Sequence, residues 1–163
     1  MLAGFDPVAL VIATVNHHIY VANQNFAGSD VVNIDSDATN SRITSVRLSY
    51  GQISIALDPV RGDLYASDFD VQNVIEISGT TNSVIRNISL GPEEYPSALV
   101  VDPLNGVVYV ANYGTFNVVV ITPALPNSGL ATWVWVATGV GLSVVFVASI
   151  LIIRGWKRRL DRI

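Results

Sequence analysis

The chain has 163 residues, half of them hydrophobic and only 13% charged, and its formal net charge is −4. It has no cysteine, which excludes disulfide staples and thiolate metal sites. Residues before 130 carry four arginines against twelve acids, and an acidic surface of this kind repels phosphates and excludes nucleic acid as a partner.

Taken in chain order, the elements repeat. The first unit starts near Pro7, passes Ala13-Thr14-Val15-Asn16-His17, and reaches Tyr20-Val21-Ala22-Asn23. A polar loop follows, then the run Asp30–Ile34, then Asn40–Leu48. The second unit brings Asp58-Pro59-Val60-Arg61-Gly62, then Tyr65-Ala66-Ser67-Asp68, the run Asn73–Ile77 and the segment Asn82–Leu90. The third starts near Pro96 and brings Asp102-Pro103-Leu104-Asn105-Gly106, then Tyr109-Val110-Ala111-Asn112 and Asn117–Ile121. The three tyrosines are 45 and 44 residues apart, a period that marks a repeat architecture.

Each unit reads as four short strands. Pro fixes φ and Gly supplies positive φ, so Asp-Pro followed by Arg61-Gly62 or Asn105-Gly106 is a turn. The first three strands are nearly unbroken Val, Ile, Leu and Ala, which predicts burial on both faces. The fourth alternates: Val46 and Leu48 oppose Ser45 and Arg47, and Ile88 and Leu90 oppose Asn87 and Ser89. Alternation predicts a half-exposed outer strand. Four strands in about 45 residues describe a β-propeller blade.

These residues resemble the YVTN β-propeller repeat of archaeal and bacterial surface proteins. The resemblance covers residues 7–121 and rests on Tyr20, Tyr65 and Tyr109, on Asn23, Asp68 and Asn112 three residues later, and on the turns Asp58-Pro59 and Asp102-Pro103. It departs at Ala66-Ser67-Asp68 and at the first turn, which lacks Asp-Pro. The resemblance implies a cell-surface protein. The expected fold is therefore all-β: a partial β-propeller of about 2.5 to 3 four-stranded blades (7–48, 54–90 and 97–121, within a segment 1–122), followed by one C-terminal transmembrane α-helix. The third unit has no evident fourth strand, and a ring needs about 4–8 blades. The expectation is thus a fragment of a longer propeller protein; the alternative is a subunit that completes a partner's propeller.

Residues 123–129 read as a linker. The run 130–153 has no charged residue, and 24 residues of helix span about 36 Å, enough to cross a hydrocarbon core. Trp133 and Trp135 near one end and Trp156 past the other suit the membrane interface. The tail 154–163 holds Arg154, Lys157, Arg158 and Arg159 and carries a net +4 against −8 before the span. Positive charge stays inside, so the expected arrangement puts the blades outside and the tail in the cytoplasm, with membrane lipid as a partner. Ala137 with Gly141, and Gly139 with Ser143, are pairs of small residues four apart, a pattern that favours self-association of spans.

Chemistry is sparse. His17 and His18 are adjacent, and adjacent strand residues point to opposite faces, so they do not share a metal. Asp35 with Asp37 and Asp68 with Asp70 read as turn acids that bond nearby amides. Asn23, Asp68 and Asn112 share one repeat position, which predicts a structural role in tying a strand end to its loop. No phosphate loop, nucleophile elbow or zinc spacing occurs. The sequence predicts no catalytic residue, no cofactor and no metal. Asn87-Ile88-Ser89 is an N-glycosylation acceptor on the half-exposed strand. The predicted function is binding or structural interaction with protein or glycan partners at a cell surface. An exported propeller enzyme of the lyase type is a further alternative, and would need a His and a Glu on neighbouring inner loops.

Overall fold

The computed structural model describes residues 5–24, 31–49, 51, 53–123, 134–138 and 141–145. All regular structure among them is antiparallel β-sheet, in three successive sheets. Blade 1 holds β1 (Pro7–Ala13), β2 (His18–Asn23), β3 (Val31–Ser36) and β4 (Arg42–Arg47), paired in that order. Blade 2 repeats the order with β5 (Ile55–Leu57), β6 (Leu64–Asp68), β7 (Asn73–Ile77) and β8 (Val84–Ser89). Blade 3 starts with β9 (Pro96–Val101), β10 (Val108–Asn112) and β11 (Asn117–Ile121) and continues through β12 (Val134–Thr138) to β13 (Gly141–Val145). The innermost strands β1, β5 and β9 lie in sequence, β5 packed beside both others.

The turns explain why the strands end where they do. The residue three before each tyrosine sits at positive φ: His17 at 59°, Gly62 at 75° and Gly106 at 72°. Glycine adopts this conformation without a Cβ penalty, and His17 fills the same turn in blade 1. In the Asp-Pro turns the carboxylate substitutes for a backbone acceptor. Asp58 Oδ1 accepts from the Val60 and Arg61 amides at 2.9 and 3.1 Å, and Asp102 Oδ1 from the Leu104 amide at 2.9 Å. The β3–β4 and β7–β8 turns repeat likewise, with Asn40 at φ 52° and Asn82 at φ 55°.

Two apolar layers join the blades. In the first, Tyr20, Ala22, Val32 and Ile34 of blade 1 meet Leu64, Ala66, Ile75 and Ile77 of blade 2. In the second, Tyr65, Val74 and Ile88 of blade 2 meet Val108, Val110, Val119 and Ile121 of blade 3. Each buried aliphatic side chain contributes about 1.5–3 kcal/mol, against about 1 kcal/mol net for a hydrogen bond, so apolar contact dominates blade-to-blade adhesion. Blade 2 contributes to both apolar layers, one on either face. On blade 3, Val100, Tyr109 and Val118 share an exposed face.

Three expectations need correction. Burial on both faces holds for β6 and for most of β2, β3 and β7, but β1 and β9 are largely exposed and β10 alternates, because its Tyr109 face is uncovered. The third blade does not stop at three strands: β12 pairs with β11, Val120 opposite Trp135, and β13 pairs with β12. Residues 134–138 and 141–145 are thus strands where a helix is expected. Val134, Trp135, Val136 and Thr138 are aromatic or β-branched and suit a strand, and the free edge of β11 offers unpaired backbone groups to satisfy. No helix among the described residues is long and apolar enough to cross a membrane. The rest of the predicted span, nearly all of the 123–129 linker, Trp133, and the tail with Arg154, Trp156, Lys157, Arg158 and Arg159 lie outside the described residues.

Candidate functional site

The polar side chains gather at the two ends of the blades. At the end formed by the β1–β2, β5–β6 and β9–β10 turns, the tyrosine hydroxyls are the centres. Tyr20 is fully buried, and its hydroxyl donates to Gly62 O of the next blade at 3.4 Å and accepts from Asn16 Nδ2 at 3.2 Å. Asn16 Nδ2 also donates to Gly79 O at 3.0 Å, so one amide fastens blade 1 to two turns of blade 2. His18 Nδ1 lies 3.4 Å from the same hydroxyl, and burial lowers the pKa of this histidine.

Blade 2 replaces this neutral cluster with a charged chain. The Tyr65 hydroxyl donates to Glu76 Oε1 at 2.8 Å and accepts from Arg61 Nη2 at 3.0 Å. Arg86 Nε donates to the other Glu76 oxygen, and Arg61 Nε donates to Asp58 Oδ2 at 2.7 Å. Burial raises the Tyr65 pKa far above its ordinary value, and the Glu76 carboxylate raises it further, so the phenol remains a donor. Burial alone would raise the Asp58 carboxyl, but the Arg61 amide and guanidinium, helped by the Val60 amide, hold it below the ordinary carboxylate range. Nearby Asp63 moves the other way: burial raises its pKa despite the bond from the Gly79 amide. Every member of this chain bonds another member, which makes it a clamp rather than an exposed reactive group.

The role of Glu76 is not evident from the repeat alone. Its signal is register: Glu76 stands opposite both Tyr65 on β6 and Arg86 on β8. In blade 1 the position opposite the tyrosine holds Ile34, and in blade 3 Val120.

The opposite end carries the β2–β3-type loops and the connections between blades. The Asp68 carboxylate accepts from Ser49 N at 2.9 Å and Ser49 Oγ at 2.5 Å, binding the end of β6 to the connection that enters blade 2. Asn23 Nδ2 donates to Val21 O at 2.9 Å, and Asn112 Nδ2 to Asn117 Oδ1 at 2.8 Å. In blade 3 the work of Asp68 passes to Glu94, which accepts from Thr115 Oγ1 at 2.6 Å. Asp70 and Glu93 are exposed at this end. Pro59 and Pro103 lie exposed in their turns, and Asn87 is exposed on β8.

The residues expected to matter chemically do not converge. His17 pairs with Asp37 at 3.3 Å and His18 contacts Tyr20, both at the turn end of blade 1. Glu93 and Glu94 are at the loop end of blade 3. Asp35 bonds Arg42 Nε at 2.6 Å. Among the described residues no three or more acids and histidines group as metal ligands.

The architecture has clear counterparts among solved structures. The β-propeller domain of Cps50 (Swd1) from Myceliophteria thermophila matches with a TM-score of 0.65 at 11% identity, over 83% of this chain and 40% of that one. A streptogramin B lyase matches at 0.54 and 14% identity, over 85% of this chain and 54% of that one. A gluconolactonase from Xanthomonas campestris matches at 0.51 and 16% identity, over 83% and 55%. The fold is that of a β-propeller, and the chain spans about half the length of these structures or less. No family model matches the sequence, and no curated protein matches it as a relative.

Proposed function

We propose that the chain is a membrane-anchored binding module of the YVTN-repeat type, with its blades outside the cell and its basic tail in the cytoplasm. The observation that carries this reading is the charge-free run 130–153, closed by a tail of net +4 and preceded by a region of net −8. The described strands within that run leave apolar residues at a sheet edge. A bilayer cannot hydrate backbone groups and favours the state that satisfies them internally, which for one span is a helix. The blades act by binding rather than by catalysis: the buried acids are engaged in holding turns and connections. Asp70 and Glu93 at the loop end form an acidic rim for protein or glycan partners at the cell surface.

The test reconstitutes the full chain in phospholipid vesicles. Resistance to alkaline extraction, a gain of helical circular dichroism on insertion, and protection of only one terminal segment from added protease are expected. Release by alkaline carbonate, or an unchanged strand spectrum in vesicles, refutes the anchor.

A further inference from the structure

The three turns at the tyrosine-hydroxyl end share a feature that the clamp does not use. The residue five places before each tyrosine is an aliphatic side chain held out into solvent. Val15, Val60 and Leu104 are 49, 73 and 92% exposed. Exposed aliphatics scattered singly carry no information, but three at one repeat position mark one end of the molecule. In blades 2 and 3 an exposed proline, Pro59 or Pro103, stands beside each.

The backbone of the Asp-Pro tips is closed on itself. Asp58 accepts from the Val60 and Arg61 amides through Oδ1 and from the Gly62 amide through its carbonyl. Asp102 likewise accepts from the Leu104 amide through Oδ1 and from the Gly106 amide through its carbonyl. Proline has no amide to satisfy. Such a tip loses little when water is withdrawn, because dehydration penalises chiefly polar groups left without a bond. The charges beside the tips are engaged too: Arg61 donates to Asp58 at 2.7 Å, and His17 pairs with Asp37 at 3.3 Å. The loop end differs. It also exposes apolar side chains, Phe5, Val71 and Phe116, but it holds the exposed acids Asp6, Asp70 and Glu93.

The chain leaves the blades at the turn end. β11 finishes there, with Ile121 opposite Val108. β13 finishes there as well, with Val145 opposite Val134, which itself faces Ile121. The charge-free run 130–153 is therefore joined to the blades at the turn end whether 134–145 are strands or helix. A linker of the seven residues 123–129 reaches about 25 Å at most, which keeps that end close to whatever the run enters.

We propose that the Val15, Val60 and Leu104 tips seat on the outer leaflet of the membrane, with the acidic loop end turned away from it. The seat rests on the anchor proposed above. Its occupant is lipid because the apolar run departs from this same end and brings a bilayer within reach of all three tips. The depth is that of the headgroups and first acyl carbons, where apolar side chains of surface-bound proteins lie. Irregular backbone facing lipid is not held deeper, in the hydrocarbon itself.

The full chain in phosphatidylcholine vesicles tests this, with nitroxide-bearing phosphatidylcholine as the quencher. The chain has no cysteine, so Leu104→Cys and Phe116→Cys each give a single site for an environment-sensitive fluorophore, one at each end. The Leu104 label is expected to shift to the blue on reconstitution and to lose roughly half of its emission to a shallow nitroxide. The Phe116 label is expected to stay as in water. Adding Val60→Asp, at an exposed position, to Leu104→Cys should clearly weaken the quenching while the strand circular dichroism persists. Alkaline carbonate extraction of the same samples separates the two readings. Release refutes the anchor and the seat with it. A retained chain whose Leu104 label is unquenched, or whose two labels are quenched alike, overturns the seat alone. So does quenching that Val60→Asp leaves unchanged, since the linker by itself would then hold the tip near lipid.

Discussion

Tyr65 and Tyr20 hold equivalent places in successive blades, and replacing each by phenylalanine separates charge-assisted from neutral hydrogen bonding at constant burial. Tyr65→Phe removes the donor to Glu76 at 2.8 Å and the acceptor for Arg61 at 3.0 Å, in a fully buried setting. Bonds to charged groups contribute about 1.5–3 kcal/mol. Glu76 keeps Arg86, so the lower half of that range applies and the expected loss is about 2 kcal/mol. Tyr20→Phe removes contacts at 3.2 and 3.4 Å, all to neutral groups or to an imidazole, and the expected loss is about 0.5 kcal/mol. Urea unfolding of the full chain, followed by tyrosine and tryptophan fluorescence, measures both. With a slope of about 1–3 kcal/mol/M, the Tyr65 variant should shift its midpoint by roughly 1 M and the Tyr20 variant by a quarter of that. Equal shifts, or a larger one at Tyr20, would refute the view that the Asp58–Arg61–Tyr65–Glu76–Arg86 chain adds stability beyond burial.

Gly79→Ala places a Cβ 2.1 Å from Gly62 O, a backbone atom that can yield only by parting two turns of blade 2. The loss should be about 2–3 kcal/mol by the same urea titration. Asp58 has a lowered pKa when folded, so its contribution is present above its ordinary value of 3.8 and is lost as pH falls through the folded value. Asp58→Asn should therefore lower stability at neutral pH and flatten the acid limb of the stability profile. Asp63 has a raised pKa, so its charge opposes folding at neutral pH and protonation relieves it; Asp63→Asn should raise neutral stability slightly and remove a gain seen on acidification. His18 has a lowered pKa, so stability that it supports is lost as pH falls below its ordinary 6.5, and His18→Gln should reduce that loss in a thermal scan against pH.

The period of the tyrosines was enough to read the blades, since turn residues and strand runs recur with it. His17 in place of glycine was legible as a position, and its positive φ follows from that position. What a period cannot supply is the partner of a residue that departs from it. Glu76 and Asp35 interrupt otherwise apolar positions, and only strand register brings Arg86 and Arg42 to them. The run 130–153 is ambiguous for a different reason. An unbroken apolar segment has no periodicity to choose helix or strand, and length argues one way while β-branched content argues the other. The extra strands of blade 3 follow from that second property.

The membership of blade 2 in both apolar layers also orders the molecule in time. A segment opens locally with a free energy set by what it must uncover. Blades 1 and 3 can each peel away by exposing one apolar layer, whereas β6 and β7 have one on either side and cannot lose their ladder until a neighbour has left. Their amides should be the slowest in the chain to exchange with deuterium, and β1 should open first. The middle repeat, whose Tyr65-Ala66-Ser67-Asp68 departs furthest from the motif of the other two, is thus the last to let go.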